Sequence, residues 1–292
     1  MKKIVILGCE NSHANAFLDF IQKKEEFSDL EVIGVYSEDT AASQKLQEKY
    51  GVPVMASFDE AVGKVDGVII TARHGGKHYP FAKPYMENGV PMFIDKPITV
   101  ETDDLVEFLG NLKKKGIKVS GGSSLMHSFG IKILKQAHRD EVGGKTVGGI
   151  LRAPLSCNNP HGGFYFYSQH LVEMVMEAFG RNPKSVQVRM AEGSRTVLFN
   201  YEGFTVTGLY TESGNEYYAA RFAPNGSQGG IIAANTINEA YYLEFKQYVD
   251  LLRGGEMELS YEELAAPVFA LHAIEKASIS GKEEPICYLP IE

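Results

Sequence analysis

From Lys2 to Gly121, short apolar runs rich in β-branched residues alternate with stretches of helical periodicity. The order is KKIVILG, the helical SHANAFLDFIQKKEEF, LEVIGVYS, the helical DTAASQKLQEKYG, Val52-Pro53-Val54, the helical FDEAVGK, and VDGVIIT. It continues with the helical HYPFAKPYMENG, VPMFIDKP, the helical VETDDLVEFLGNLKKKG, and IKVSG. Strand and helix in regular succession require crossover connections and so predict parallel pairing. The helical stretches close on Gly or a Gly-containing turn, the chemistry that helix C-termini favour. The pattern predicts an α/β Rossmann domain over residues 1–121, a doubly wound parallel sheet with helices on both faces.

The pattern changes over residues 122–292. After the helical SFGIKILKQAHRDE come GGILRAPLS, SVQVRMA, RTVLFNY, FTVTGLYT and EYYAARFA, separated by Gly turns such as Glu202-Gly203 and Ser213-Gly214-Asn215. Short spacings of this kind predict a large open mixed or antiparallel sheet in an α+β domain. Three helical stretches accompany it, GGFYFYSQHLVEMVMEAFG, NEAYYLEFKQYVDLLRGG and YEELAAPVFALHAIEKASISG, while NGSQGG reads as a loop. The second domain is expected to bind substrate and to mediate oligomerisation.

Composition narrows the function classes. A formal charge of −8 spread along 292 residues argues against a nucleic-acid footprint, which needs a clustered basic face. The run Ile4 to Gly8 reads as a strand rather than a secretion signal. No stretch reaches the roughly 18 apolar residues of a membrane span, so no membrane partner and a cytoplasmic location are expected. Cys9, Cys157 and Cys287 lie far apart without metal-ligand spacing and are expected to be buried reduced thiols, so no metal site is predicted.

A strand, a Gly turn and a helix N-terminus together make a diphosphate site, because exposed helix N–H groups and the helix dipole attract an anion. The turn here is Gly8-Cys9-Glu10-Asn11-Ser12-His13, in which only the first glycine of G-x-G-x-x-G is present. Glu10 stands where the backbone should approach a pyrophosphate and would obstruct it unless its side chain turns away. Asn11 or Ser12 can cap the helix or donate to a phosphate. After the second strand, Ser37 sits where an acid usually accepts the ribose hydroxyls, and Glu38 follows one residue late. Glu38 would favour NAD, whereas Ser37 alone would tolerate NADP, so either cofactor is compatible with the sequence.

The order of strands, His78 after VIITARHGGKH, the tripeptide Asp95-Lys96-Pro97 after the fifth strand, and a later helix bearing His170 together resemble the glucose-fructose oxidoreductase, inositol dehydrogenase and MocA family. The resemblance runs over nearly the whole chain. It implies an NAD(P)-dependent oxidoreductase acting on a hydroxyl or carbonyl of a sugar, cyclitol or similar polar metabolite. In that setting Lys96 would stabilise the oxygen on which charge develops, and His170 would exchange the hydroxyl proton, with Glu173 one turn on to orient it. Thr71, Arg73, His74 and His78, at and after the fourth strand, are expected near the cofactor along with Asp95, and His78 is expected to cap the next helix. Asn158, Asn159 and His161, with Tyr165 and Tyr167, are the candidates for contact with a hydroxylated substrate.

The chain departs from the family at Glu10 and at Phe166, where many members carry an aspartate one turn before the histidine. It also lacks a frequent basic residue in Gly122-Ser123-Ser124-Leu125-Met126-His127. Two other readings follow from these departures: a relative that uses bound NAD for transient oxidation during elimination or hydrolysis, and a sensor or scaffold without turnover. Tyrosine-bearing strands in an open sheet predict a homodimer or homotetramer.

Overall fold

The computed structural model describes residues 1–232 and 236–292. It divides into two compact units that are not continuous in sequence: residues 1–122, 241–264 and 290–292 form one, and residues 123–240 and 265–289 form the other.

The first unit carries β1 (Lys2–Leu7), α1 (Ser12–Lys23), β2 (Leu30–Tyr36), α2 (Thr40–Tyr50), β3 (Gly67–Ile70), α3 (His78–Ala82), β4 (Met92–Asp95), α4 (Thr102–Lys114) and β5 (Val119–Gly122). Its five strands are all parallel in the order β2-β1-β3-β4-β5. The central strands are buried on both faces, which explains why IVIL, GVII and MFID read as unbroken apolar runs rather than alternations. The chain leaves β1 toward β2 on one side and then returns to β3 on the other. The carboxyl ends of β1 and β3 therefore flank the reversal of strand order, where open α/β sheets bind ligands.

Two expected elements of this unit do not form. Val52-Pro53-Val54 contributes a single bridge between Val35 and Val54 instead of a strand, since proline has no N–H to give a ladder. FDEAVGK is a series of turns, with the Glu60 carboxylate accepting from the Ala56 N–H at 2.7 Å. The sheet accordingly has five strands, and the expected fourth, fifth and sixth are β3, β4 and β5.

The second unit contains α5 (Phe129–Arg139), β6 (Gly148–Pro154), α6 (Phe164–Phe179), β7 (Ser185–Ala191), β8 (Ser194–Asn200), β9 (Thr205–Thr211), β10 (Tyr217–Ala223) and β11 (Gly226–Ile232). Then come α7 (Thr236–Leu252), α8 (Tyr261–Ser280) and β12 (Glu284–Pro285); from Tyr241 onward α7 belongs with the first unit, and from Ala265 onward α8 belongs with the second. The seven strands run β11-β10-β6-β9-β8-β7-β12, antiparallel except for β6 with β9. NGSQGG, expected as a loop, is mostly the edge strand β11. It lacks an apolar alternation because its backbone pairs with β10 while most of its side chains face solvent.

Helix α6 is seated on the sheet through two missing side chains. A Cβ at Gly208 of β9 would come within 2.6 Å of Leu171, and one at Gly149 of β6 within 2.5 Å of Phe179. These glycines let the helix carrying His170 lie close against the strands.

At the β1–α1 turn Gly8 has φ +73°, and a Cβ there would meet Ala72 backbone atoms at 2.3 Å. Gly51, with φ +70°, faces open space. Gly8→Ala is expected to cost about 3 kcal/mol or more, while Gly51→Ala costs only the roughly 1 kcal/mol of the left-handed backbone. Thermal unfolding of the two variants checks this, and equal losses would contradict the packing argument.

Candidate cofactor and active site

The helix N-terminus after β1 is open. Asn11 occupies the N-cap, but its side chain makes no capping bond; instead its Nδ2 donates to Asp95 Oδ2 at 2.7 Å. Ser12 caps nothing either and is hydrogen-bonded to Asn11 Oδ1 and the Tyr241 hydroxyl, both at 3.1 Å. The first-turn N–H groups of α1 thus keep the anion-binding capacity that a capping side chain would have consumed.

Glu10 does turn aside. Its Oε2 accepts the Ser37 hydroxyl at 2.6 Å and its Oε1 accepts the Arg73 N–H at 3.0 Å, so one carboxylate links the loops after β1, β2 and β3. Glu38 points elsewhere, into an exposed ion pair with Lys77 at 3.1 Å.

The carboxyl end of β4 holds a buried charge cluster. Asp95 is fully buried; its Oδ1 accepts the Lys96 N–H at 2.7 Å, and its Oδ2 lies 3.3 Å from His13 Nδ1. On the other side of the His13 ring, Nε2 lies 2.9 Å from Glu244 Oε1, a pair supplied by the returning helix α7. The two groups attract each other chiefly through charge. Burial disfavours a proton on His13, but Asp95 and Glu244 outweigh it and raise its pKa. Burial likewise pushes the Glu244 carboxyl up to about 7 against the pull of His13. Lys96 is only 5% exposed, and burial lowers its pKa despite the nearby Asp95. Sequence reasoning missed His13 and Glu244; the available signal was His13 standing at the third glycine of the turn.

The residues after β3 divide between structural and exposed roles. Thr71 donates through its hydroxyl to the Gly8 carbonyl at 3.0 Å, tying the two strand ends together. Arg73 is exposed, and its backbone N–H serves Glu10. His74 caps only the short 3-10 turn before α3, its Nδ1 accepting the Gly76 N–H at 3.0 Å, and α3 itself starts without the side-chain cap expected from His78. His78 is the first residue of α3 and is buried, with Nε2 2.8 Å from the Ala72 carbonyl, so it folds the loop back on β3. Burial lowers its pKa, consistent with a neutral ring donating to that carbonyl.

In the second unit, His170 Nδ1 and Ser123 Oγ are 2.6 Å apart, both buried. Ser123 was not among the expected partners. Glu173 was expected to orient His170, but its carboxylate takes Arg181 Nη1 and Gln169 Nε2, each at 3.0 Å, because the buried Arg181 demands a counter-charge. Tyr165 is buried and donates to Glu275 at 2.5 Å, whereas Tyr167 is exposed with its ring 5.8 Å from that of His170. Asn159 staples the loop before α6, donating to the Ser156 and Gly163 carbonyls and accepting the His161 N–H. The His161 ring lies 5.2 Å from that of Phe166, and Asn158 is exposed. Of the cysteines, Cys9 is buried, which pushes its thiol up to about 11, Cys157 is half-buried, and Cys287 is exposed rather than buried as expected. Among the described residues no group of acidic, His and Cys side chains could hold a metal ion, and no helix is long and apolar enough to cross a membrane.

A parallel sheet with its strand order reversed between β1 and β3, and an uncapped helix at that reversal, define a dinucleotide-binding Rossmann domain. Residues 2–123 match the GFO_IDH_MocA model, described as an oxidoreductase family with an NAD-binding Rossmann fold. Over the whole chain the fold is similar to that of a putative myo-inositol dehydrogenase from Sinorhizobium meliloti, with a TM-score of 0.83 at 16% identity over 98% of this chain and 100% of that one. A scyllo-inositol dehydrogenase from Lactobacillus casei, solved with bound NAD(H) and scyllo-inositol, gives 0.84 at 15% over 98% and 99%. A probable dehydrogenase from Thermotoga maritima gives 0.82 at 14% over 97% and 98%. No curated protein sequence matches the chain.

The residues present fit an NAD molecule. The uncapped N-terminus of α1 suits its diphosphate, Gly8 keeps the turn tight against Ala72, and Glu10 is bent out of the turn toward β2.

The His13–Glu244 pair has a consequence for stability. Both groups hold protons more tightly folded than unfolded, so folding takes up protons and stability falls as pH rises, across the interval from about 4.5 to 7 for Glu244 and on through the raised value of His13. Glu244→Gln is expected to flatten the decline in melting temperature between pH 5 and pH 8. Parallel declines in the variant and the parent would show that the pair does not titrate as described.

Proposed function

We propose that the protein is an NAD-dependent dehydrogenase or reductase acting on a hydroxyl or carbonyl of a cyclitol, sugar or similar polyol. The observation that carries this reading is Lys96: a buried ammonium at the carboxyl end of β4, beside Asp95, in a domain that matches the model of an NAD-binding oxidoreductase family. Bound NAD supplies the hydride acceptor, and reduced NAD the donor. Lys96 holds its ammonium against the substrate oxygen; burial makes that charge costly, so it acts most strongly on an oxygen that gains negative charge. His170 takes the hydroxyl proton or returns it, and Ser123 fixes the orientation of its ring. Neutral donors and acceptors around the start of α6, Asn158, His161 and Tyr167, suit hydroxyl groups rather than charged substrates. The inositol dehydrogenases of similar fold support the choice of a cyclitol.

We assign self-association to the face of the second sheet opposite α5 and α6. The strand registers bring Ile150, Leu198, Leu209, Tyr218, Phe222 and Ile231 to that face, all half-buried or exposed. Large accessible apolar side chains on one sheet face, with Arg152 and Thr207 interspersed, favour a dimer or tetramer.

Lys96→Ala and His170→Ala are each expected to lower kcat for polyol oxidation by about 10²- to 10⁴-fold while leaving NADH affinity within a few-fold. Steady-state kinetics on a panel of cyclitols and sugars, paired with NADH fluorescence titration, checks both halves; full turnover in either variant would remove that residue from the mechanism. Light scattering is expected to give a dimer or tetramer, and a monodisperse monomer would end the association proposal.

A further inference from the structure

Dinucleotide sites that prefer NAD commonly place a carboxylate at the end of the second strand, where it accepts the adenosine ribose hydroxyls and repels a 2′-phosphate. Here that position is Ser37, a neutral hydroxyl that brings no charge to repel a 2′-phosphate. It already accepts the Asp39 N–H at 3.0 Å, and it spends its proton on Glu10 Oε2 at 2.6 Å. The neighbouring acid, Glu38, is drawn off by Lys77. A carboxylate nevertheless reaches this place, from the opposite side of the groove: that of Glu10.

We propose that Glu10 is the residue that selects the cofactor, supplying from the β1–α1 turn the negative charge that such sites usually take from the second strand, so that NAD is accepted and NADP refused. The inference rests on the reading of the protein as an NAD enzyme and adds the source of its selectivity. Glu10 is fixed for the task by two bonds, one to each oxygen, from the Ser37 hydroxyl and the Arg73 N–H. A carboxylate has about four acceptor sites, so two bonds leave room for ribose hydroxyls. A 2′-phosphate brought to the same spot would meet a like charge at hydrogen-bonding distance. The same geometry accounts for the loss of the second glycine, since a side chain that leaves the turn toward β2 does not lie over the helix N-terminus.

The test is isothermal titration calorimetry of the full chain with NADH and with NADPH, for the parent, Glu10→Gln, Glu10→Ala and Glu38→Gln. The parent is expected to bind NADH more tightly, both Glu10 variants to lose at least about tenfold of that preference, and Glu38→Gln to keep it. Circular dichroism confirms that each variant is folded, and the two Glu10 variants guard against failure of either. A parent without preference, a preference unchanged within twofold in the Glu10 variants, or its loss in Glu38→Gln would each overturn the assignment while leaving the oxidoreductase reading intact. A parent that binds neither nucleotide would instead remove the cofactor reading, and this inference with it.

Discussion

The carboxylate of Asp95 is the joint on which the first unit's chemistry depends. Buried completely at the end of β4, it receives the Asn11 side chain, the Lys96 backbone N–H and the approach of the His13 ring. An isolated charge in such a place would be prohibitively desolvated, so every one of these partners is needed. Their geometry binds the start of α1 to the end of β4, and it draws Asn11 away from capping α1. The open helix terminus and the positioned lysine are thus two results of one buried acid.

The cluster is completed from far along the chain. Glu244 lies in α7, which packs Phe245 and Tyr248 among Phe17, Phe27 and Phe93 in the core of the first unit. The aromatic contacts fix the helix, and the helix in turn holds the carboxylate against His13. A histidine at the third glycine position of the turn would otherwise be an unsatisfied polar ring beneath the sheet edge; with acids on both sides it becomes a proton-holding bridge.

In the second unit the controlling constraint is close packing. The absence of side chains at Gly149 and Gly208 sets the depth of α6, and the aromatic residues at its start are then sorted by what each can reach. Tyr165 is taken inward by Glu275, while Tyr167 stays at the surface near His170. Arg181, buried close to the end of the same helix, claims Glu173 and Glu177, which is why the acid one turn after the histidine serves the scaffold.

Period and punctuation in the chain determined the parallel sheet, most of the helices, the alternating strands of the second sheet and the position of Lys96 after β4, because these depend on local backbone preference and on which faces must be buried. The sequence also contained the acid at Glu10 and the histidine at position 13, but not their uses. Whether Glu10 blocks the turn or leaves it, whether Glu173 or Ser123 meets His170, and whether NGSQGG forms a loop or an edge strand were decided only in the tertiary structure. Each turns on a hydrogen bond or ladder partner between 3 and 47 residues away. Hydrophobic spacing records which side of an element is buried; it carries no record of which distant polar group will be waiting there.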